Sequence, residues 1–210
     1  MTGKWRQGLT LIELLVVVTI LAIVSLSLVP TAELITVRLL ETQMQENLKA
    51  IRRAIRTWRE DCEAAVEKEV HDYLTHSYGP PRRPEKTREV VLAIPDHLFY
   101  PTDIGMLTRA GVFSVTYLLP DNFESPTTWT SHTALFNHRA YLSAIPVNPF
   151  VQGPVWVQYY ANNPASATLW EGGIIKGSPG IGVFDVGVPT SSADMRGFVQ
   201  ALDGTYYRDW

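Results

Sequence analysis

The spacing of apolar residues changes along the chain and divides it into three parts. Residues 9–29 are almost all apolar, and Glu13 is the only charged residue among them. Residues 32–77 repeat an apolar side chain every three or four positions, which predicts one face of an amphipathic helix. The last third has short apolar stretches between glycine and proline turns, which predicts strands. The pattern therefore predicts an α+β fold in which a long N-terminal helix packs on a small antiparallel β-sheet head.

The apolar run would form a helix of roughly 30 Å, the thickness of a bilayer core. We therefore predict a membrane span over residues 9–30. An isolated carboxylate in such a span costs roughly 2.5–3.5 kcal/mol at the bilayer centre, so Glu13 is interpreted as functional and in need of a partner. The alternative is a carboxyl group that is simply protonated. Pro30 predicts a bend, an interruption, or only the exit from the membrane.

Residues 31–78 are predicted to form the amphipathic half of the helix, which would cover the sheet of the head. The opposite face is charged, and Gly79-Pro80-Pro81 supplies a stop signal. A free coiled coil is the alternative, but the domain that follows needs a covering helix. The predicted apolar face consists of Val37, Leu40, Met44, Leu48, Ile51, Ile55, Trp58, Cys62, Val66, Val70 and Tyr73.

Residues 79–210 are predicted to form the globular head. The segment Gly79–Glu89 is rich in proline and basic residues and is interpreted as a solvated connector. A brief helix is expected at Asp103–Arg109 and a strand at Val112–Leu118, whereas Pro120–Arg139 is polar and is expected to be irregular. Near the C-terminus, Asp203-Gly204 predicts a hairpin turn.

Composition narrows the classes of function without selecting one. The net charge is −3, so no overall basic field recruits nucleic acid. Cys62 is the single cysteine and excludes an intrachain disulfide; its place on the apolar face predicts a buried thiol. His71 and His76 are five residues apart, the wrong spacing for two ligands on one helical face. No hydrolase, zinc-protease, phosphate-loop or Cys-x-x-Cys motif occurs, and we predict no enzyme, no cofactor and no metal site.

The N-terminus carries a recognisable combination of features. A short leader, Met1–Gly8, contains Lys4 and Arg6 and ends in glycine; Thr-Leu-Ile-Glu and the apolar helix follow. This combination resembles the prepilin N-terminus of type IV pilins and type II secretion pseudopilins. The resemblance implies that a prepilin peptidase cuts between Gly8 and Leu9 and methylates the new amine. It also implies that Glu13 pairs with the amine of a neighbouring subunit in a filament.

A weaker resemblance covers residues 141–187. Tyr141–Phe150 followed by Val155–Tyr160 is similar to a pattern of major pseudopilins, although Asn148 stands where that family usually has Asp. The family also has a calcium-binding loop after a strand that corresponds to Gly182–Gly187. Here Val188–Ser192 replaces the acidic loop. The oxygen donors still available are Asp185, Asp194, Asp203 and Asp209, and no metal ligand is assigned to them.

The resemblance implies a structural subunit that associates with itself and with homologous pilins, and whose further partners are the prepilin peptidase and an inner-membrane assembly platform. Because Lys4 and Arg6 precede the span, the N-terminus is expected in the cytoplasm and the head in the periplasm. One alternative is a minor or tip pilin that binds a ligand, and another is an uncleaved, signal-anchored periplasmic protein, including an enzyme. The ligand of a tip pilin would be held by the aromatic residues Trp129, Trp156, Trp170 and Trp210.

Overall fold

The computed structural model describes residues 10–78, 84–120, 127–191, 193–195 and 197–210, with the backbone alone at 27–31, 84 and 85. Helix α1 runs from Leu11 to Tyr78, and Pro30 lies within it. The chain divides into two compact units, one ending at Thr42 and the other comprising Gln43–Trp210. The predicted long N-terminal helix is therefore confirmed.

Within Gln43–Trp210, the predicted apolar face of α1 is buried from Met44 to Val70 and ends at Leu74. Two predicted members before this unit, Val37 and Leu40, are only half-buried, and Tyr73 is also half-buried. The buried apolar side chains of this part of α1 are Met44, Leu48, Ile51, Ala54, Ile55, Trp58, Cys62, Val66, Val70 and Leu74.

A two-stranded antiparallel sheet is formed by β1 (Gly111–Pro120) and β2 (Trp129–His138), which pair along ten residues without a register shift. The prediction of a strand at Val112–Leu118 is confirmed, whereas the prediction that 120–139 is irregular is wrong over β2. Strand β2 looked polar because its outward side chains are mostly polar, while the inward ones include Ala134, Phe136 and His138.

The inner face of this sheet packs on Trp58 of α1. The Trp58 ring lies edge-on to Phe113 and Phe136, with ring centroids 5.6 and 5.2 Å apart, and 4.3 Å from the His138 ring. Aromatic pairs of this geometry add to the free energy gained from burial alone. Trp58 therefore joins α1 to both strands of the hairpin.

A second, four-stranded antiparallel sheet has the order β5-β4-β3-β6. Its central strand β3 is almost wholly buried. The prediction of short strands in the last third is confirmed. The strands are β3 (Val155–Tyr160), β4 (Asn163–Glu171), β5 (Ile174–Lys176) and β6 (Val183–Gly187).

The segment between α1 and the first sheet is more regular than expected. Helix α2 spans Pro84–Ala93, so the interpretation of 79–89 as a connector is wrong from residue 84 onward. Proline is favourable in the first turn of a helix. The side chains of Thr87 and Val91 are buried and lie on one side of α2. The brief helix expected near residue 103 is confirmed as a 3₁₀ turn at Ile104–Thr108, capped by Asp103.

The predicted turn at Asp203-Gly204 is confirmed. Ala201 N donates to Thr205 O at 2.8 Å, and the Asp203 carboxylate accepts the Thr205 N–H at 2.9 Å. Gly204 has a φ of +89°, a conformation that glycine adopts without steric cost. The flanking residues form one isolated bridge, Gln200 with Tyr206, and no longer strand pair is described beside it.

Candidate functional site

The first turn of α1 is closed by two residues, Thr10 and Glu13. Leu14 N donates to Thr10 O at 3.1 Å, which makes Thr10 the residue that caps the helix. Glu13 Oε2 accepts the Thr10 N–H and the Thr10 hydroxyl, both at 3.0 Å, and Glu13 N donates to Thr10 Oγ1 at 3.4 Å. This reciprocal arrangement is a capping box.

The capping box was missed at the sequence level, although Thr-x-x-Glu ahead of an apolar run is its signature. It gives Glu13 a structural role within one chain, in addition to the role assigned by resemblance. A carboxylate accepts about four hydrogen bonds, so two bonds from Thr10 leave capacity for a further donor. The helix N-terminus itself also favours negative charge. One residue can therefore both cap α1 and attract a cation.

The predicted processing residues Gly8 and Leu9 lie outside the described residues. Their place in the chain is directly before Thr10, at the start of the capping box. Removal of residues 1–8 would leave the Thr10 amide and hydroxyl and the Glu13 carboxylate chemically unchanged. The capping box therefore does not depend on the leader.

An apolar surface follows the capping box. Every side chain from Leu11 to Leu26 is exposed; Leu11 is 83 % and Leu26 76 % exposed. The Thr19 hydroxyl donates to Leu15 O at 2.8 Å, which satisfies its donor inside the helix. This surface therefore presents hydrocarbon to its surroundings, with one acid at its beginning.

No helix in the described part of the chain is long and apolar enough to cross a membrane. The membrane span expected over 9–30 is not confirmed and stays a prediction.

The tryptophans considered for ligand binding do not share an exposed surface. Trp156 is fully buried and its Nε1 donates to Pro146 O at 2.8 Å, while Trp170 is 5 % exposed. Trp129 is 60 % exposed on β2. Trp156 and Trp170 are therefore core residues of the four-stranded sheet.

The four aspartates considered as calcium ligands are also separated. Asp185 accepts from Arg52 Nε at 2.8 Å, Asp203 accepts from Thr205, and Asp209 lies 3.6 Å from Arg208 Nε. Within the described ranges, no three acidic, histidine or cysteine side chains are placed to hold a metal ion together.

Arg52 has contacts that the sequence did not predict. From α1, its guanidinium also donates Nη1 to Trp210 O at 2.7 Å and Nη2 to Val186 O at 2.9 Å. A rigid guanidinium fork suits several acceptors at once. In the sequence, Arg52 is one of the charged residues opposite the apolar face of the predicted helix. Only the tertiary fold shows that it attaches β6 and the residues near the C-terminus to α1.

Asn148, where the resembled family usually has Asp, has a local explanation. It is fully buried, its Oδ1 accepts the Phe150 N–H at 3.1 Å, and its Nδ2 approaches Val155 O at 3.4 Å. An aspartate would accept the first bond but would place a carboxylate against the Val155 carbonyl. The amide therefore fits this buried turn better than an acid would.

Two shallow depressions lie on the surface of the unit Gln43–Trp210. The larger, about 300 Å³, is lined by Pro189, Thr190, Val199, Tyr206 and Arg208. The smaller, about 270 Å³, is lined by Gln45, Leu48, Lys49, Arg52 and Trp210. Neither lining includes the side chain of an acidic residue or of a histidine.

Residues 6–29 match the prokaryotic N-terminal methylation motif. The match includes Gly8, Leu9 and Glu13 and indicates a type IV pilin-like prepilin N-terminus. No curated protein and no solved structure matches the chain.

Proposed function

We propose that this chain is a structural subunit of a pilus-like filament, assembled through the N-terminal half of α1. The observation that carries the proposal is the exposed apolar surface from Leu11 to Leu26, which begins at the acid of a prepilin-type N-terminus. Exposed apolar area of this extent is unfavourable in water and marks a surface that partners or lipid cover.

The proposed sequence of events begins in the inner membrane. Residues 9–30 hold the chain there, with the N-terminus in the cytoplasm and the head in the periplasm. A prepilin peptidase removes residues 1–8 after Gly8 and methylates the amine of Leu9. An inner-membrane assembly platform then adds the subunit to a filament of homologous pilins, either a type II secretion-like pseudopilus or a type IV pilus.

Two physical terms support assembly through this surface. Contact between like helices lets the Leu11–Leu26 side chains pack against one another, and such packing drives helix association in a membrane. The charge of Glu13 also needs compensation there, and the α-amine created on a neighbouring Leu9 is largely cationic at neutral pH. Because Thr10 orients the Glu13 carboxylate, an incoming amine would meet a defined acceptor, which fixes the axial position of the subunit.

The two alternatives have less support. A tip pilin that binds a ligand through its tryptophans would need them exposed together, but Trp156 and Trp170 lie in the core. For a signal-anchored enzyme, neither surface depression is lined by an acidic residue or a histidine.

The test is assembly in cells that carry a complete pilus or pseudopilus machinery. When the full-length chain is expressed, its processed form should appear in sheared filaments, detected with an antibody to the head and by electron microscopy. The matched control is a strain that lacks the assembly ATPase, in which the chain should remain in the inner membrane. A chain that stays in the membrane of the complete strain would contradict the proposal.

A further inference from the structure

The outward face of the β1–β2 sheet is apolar at both ends and carries no charge. On β1 it presents Val112 and Leu118, which are 64 % and 61 % exposed. On β2 it presents Leu135 and Trp129, which are 64 % and 60 % exposed. We call these four residues, with the Thr116–Thr133 pair between them, the hairpin face.

The register joins these residues into two clusters. Val112 pairs with Asn137, so Leu135 is its diagonal neighbour; Leu118 pairs with Ser131, so Trp129 is its diagonal neighbour. Diagonal neighbours on one sheet face are close enough for large side chains to touch. Between the clusters, the Thr116 and Thr133 hydroxyls lie 3.2 Å apart and form one hydrogen bond, in which either can be the donor. The hairpin face is thus uncharged throughout, and its central hydroxyls are already hydrogen-bonded to one another.

The absence of charge is specific to this sheet. The twenty residues of β1 and β2 include no Asp, Glu, Lys or Arg, although these types make up 19 % of the whole chain. By contrast, the outer strand β5 of the four-stranded sheet has only three residues, and its Lys176 forms an ion pair with Glu171 of β4. Short, charged edges protect sheets from unwanted association, and the hairpin has neither property.

We infer that the hairpin face is a contact surface for the head of a second copy of this chain in the filament. The inference rests on the proposed function and adds a second contact, distinct from the helices. Copies of one chain carry net charge of the same sign, −3 for the full sequence and more negative once Lys4 and Arg6 are removed, and therefore repel one another. An uncharged face is the part of each head that another copy approaches at the lowest electrostatic cost.

The size of the face also favours a neighbour that is already held nearby. Strands of ten residues are about 34 Å long, and a face two strands wide covers roughly 300–350 Å². A stable complex in solution usually buries about 800 Å² on each partner. The hairpin face is too small to pair free heads, but association of the helices raises the local concentration of heads enough for a small contact to form.

The first test places a benzophenone amino acid at Thr116, in the centre of the face, in the full-length chain. Irradiated filaments should yield an adduct of twice the subunit mass that contains peptides of this chain alone. The same probe at Ile174, which is 64 % exposed on β5, is the matched control and should yield at least fivefold less adduct. An adduct with a different protein or with lipid, or no adduct from assembled filaments, would overturn the inference.

The second test compares Leu135→Lys with Ile174→Lys, two strand positions of equal exposure. Leu135→Lys should lower the filament yield about tenfold at normal chain level and processing, because a charge replaces a buried Leu at the contact. Ile174→Lys should assemble normally. Equal yields from the two variants would overturn the hairpin contact but leave the filament role intact, whereas a wild-type chain that never assembles would overturn both. If Leu135→Lys lowers the chain level, the Thr116 probe decides, because all four apolar residues of the hairpin face are intact in that variant.

Discussion

Thr10 and Glu13 satisfy each other's hydrogen-bonding groups across the first turn of α1, with the Glu13 carboxylate 3.0 Å from both the amide and the hydroxyl of Thr10. The acid assigned to subunit docking is therefore also a helix cap. These two roles make different demands on the side chain. The cap needs a hydrogen-bond acceptor, whereas docking needs a negative charge.

Glu13→Gln separates the two roles, because glutamine also completes a capping box but carries no charge. We expect normal or improved membrane insertion, unchanged cleavage after Gly8 and a sharp loss of filaments, since a neighbour's ammonium would lack a counter-charge. The three quantities are measured on the same variant as membrane level, N-terminal mass and filament yield.

The matched control is Thr10→Val, which keeps the charge of Glu13 and removes the hydroxyl of the cap. Loss of such a cap costs about 1 kcal/mol of helix stability, so the yield should fall less than in Glu13→Gln. Normal filaments from Glu13→Gln would show that its charge is not the docking group.

Processing gives an independent prediction. Coexpressed with a prepilin peptidase, the chain should lose Met1–Gly8 and begin at methylated Leu9. Intact-protein mass spectrometry measures both changes, and a strain without the peptidase is the control. A mature chain that still contains Lys4 and Arg6 would remove the main support for the filament.

A fragment that begins near Glu33 should be soluble and folded, since it lacks the apolar surface from Leu11 to Leu26 and keeps the compact unit Gln43–Trp210. Circular dichroism and thermal unfolding measure its structure, with and without a reducing agent. Reductant should have no effect because the thiol of Cys62 is buried. An unfolded fragment would contradict the assignment of this part of α1 to the core of the head.

The head should lose stability in alkali. Burial, with a smaller contribution from Glu63, raises the pKa of Cys62 to about 12; burial, followed by the charge of Glu69, raises the pKa of Tyr117 to about 12. The unfolded chain loses these protons first, near the ordinary values of 9.0 and 10.0. The free energy of unfolding should therefore fall from about pH 9 to pH 12, with Cys62 contributing at most about 1.4 kcal/mol per pH unit.

Urea unfolding of the fragment between pH 7 and 11 measures this slope. Cys62→Ala is the comparison, since it removes one of the two groups and should flatten the decline. An identical slope in the variant would show that the thiol does not contribute.

Arg52→Met should destabilise the head by roughly 2 kcal/mol. The reason is that Asp185, Val186 O and Trp210 O each lose a charged donor. The expected loss is small for three hydrogen bonds because the site is partly exposed to solvent. For a domain of this size that corresponds to a fall in Tm of about 4–8 °C. Arg56→Met, an exposed position one turn along α1, is the control and should change stability by less than about 0.5 kcal/mol. Equal melting temperatures for the two variants would contradict the role given to Arg52.

The extent to which the sequence predicted the fold depended on how local each signal was. Helix α1 and strands β1, β3 and β6 have apolar patterns that are visible within a single segment. Strand β2 was missed because its inward His132 and His138 look polar until Tyr73 and Trp58 of α1 are seen against them. Helix α2 was not predicted because its proline and its basic residues were interpreted as a sign of a solvated connector.

The residues of the candidate site were likewise predictable only where their signal lay within one segment of the sequence. Glu13 stood out because it is the only charge in an apolar run, whereas its hydrogen bonds to Thr10 required the motif to be considered as a cap. Arg52 could not have been identified, because its three acceptors lie more than 130 residues away in the sequence.

Arg52 places beside Asp185 a cation that belongs to the same molecule. A metal ion drawn from the medium fills its site by mass action, and its contribution to stability falls when the ion is diluted or chelated. The guanidinium of Arg52 is part of α1 and is therefore present in a fixed ratio of one to one. The attachment of β6 to α1 is therefore built into the polypeptide, and it does not vary with the calcium content of the medium.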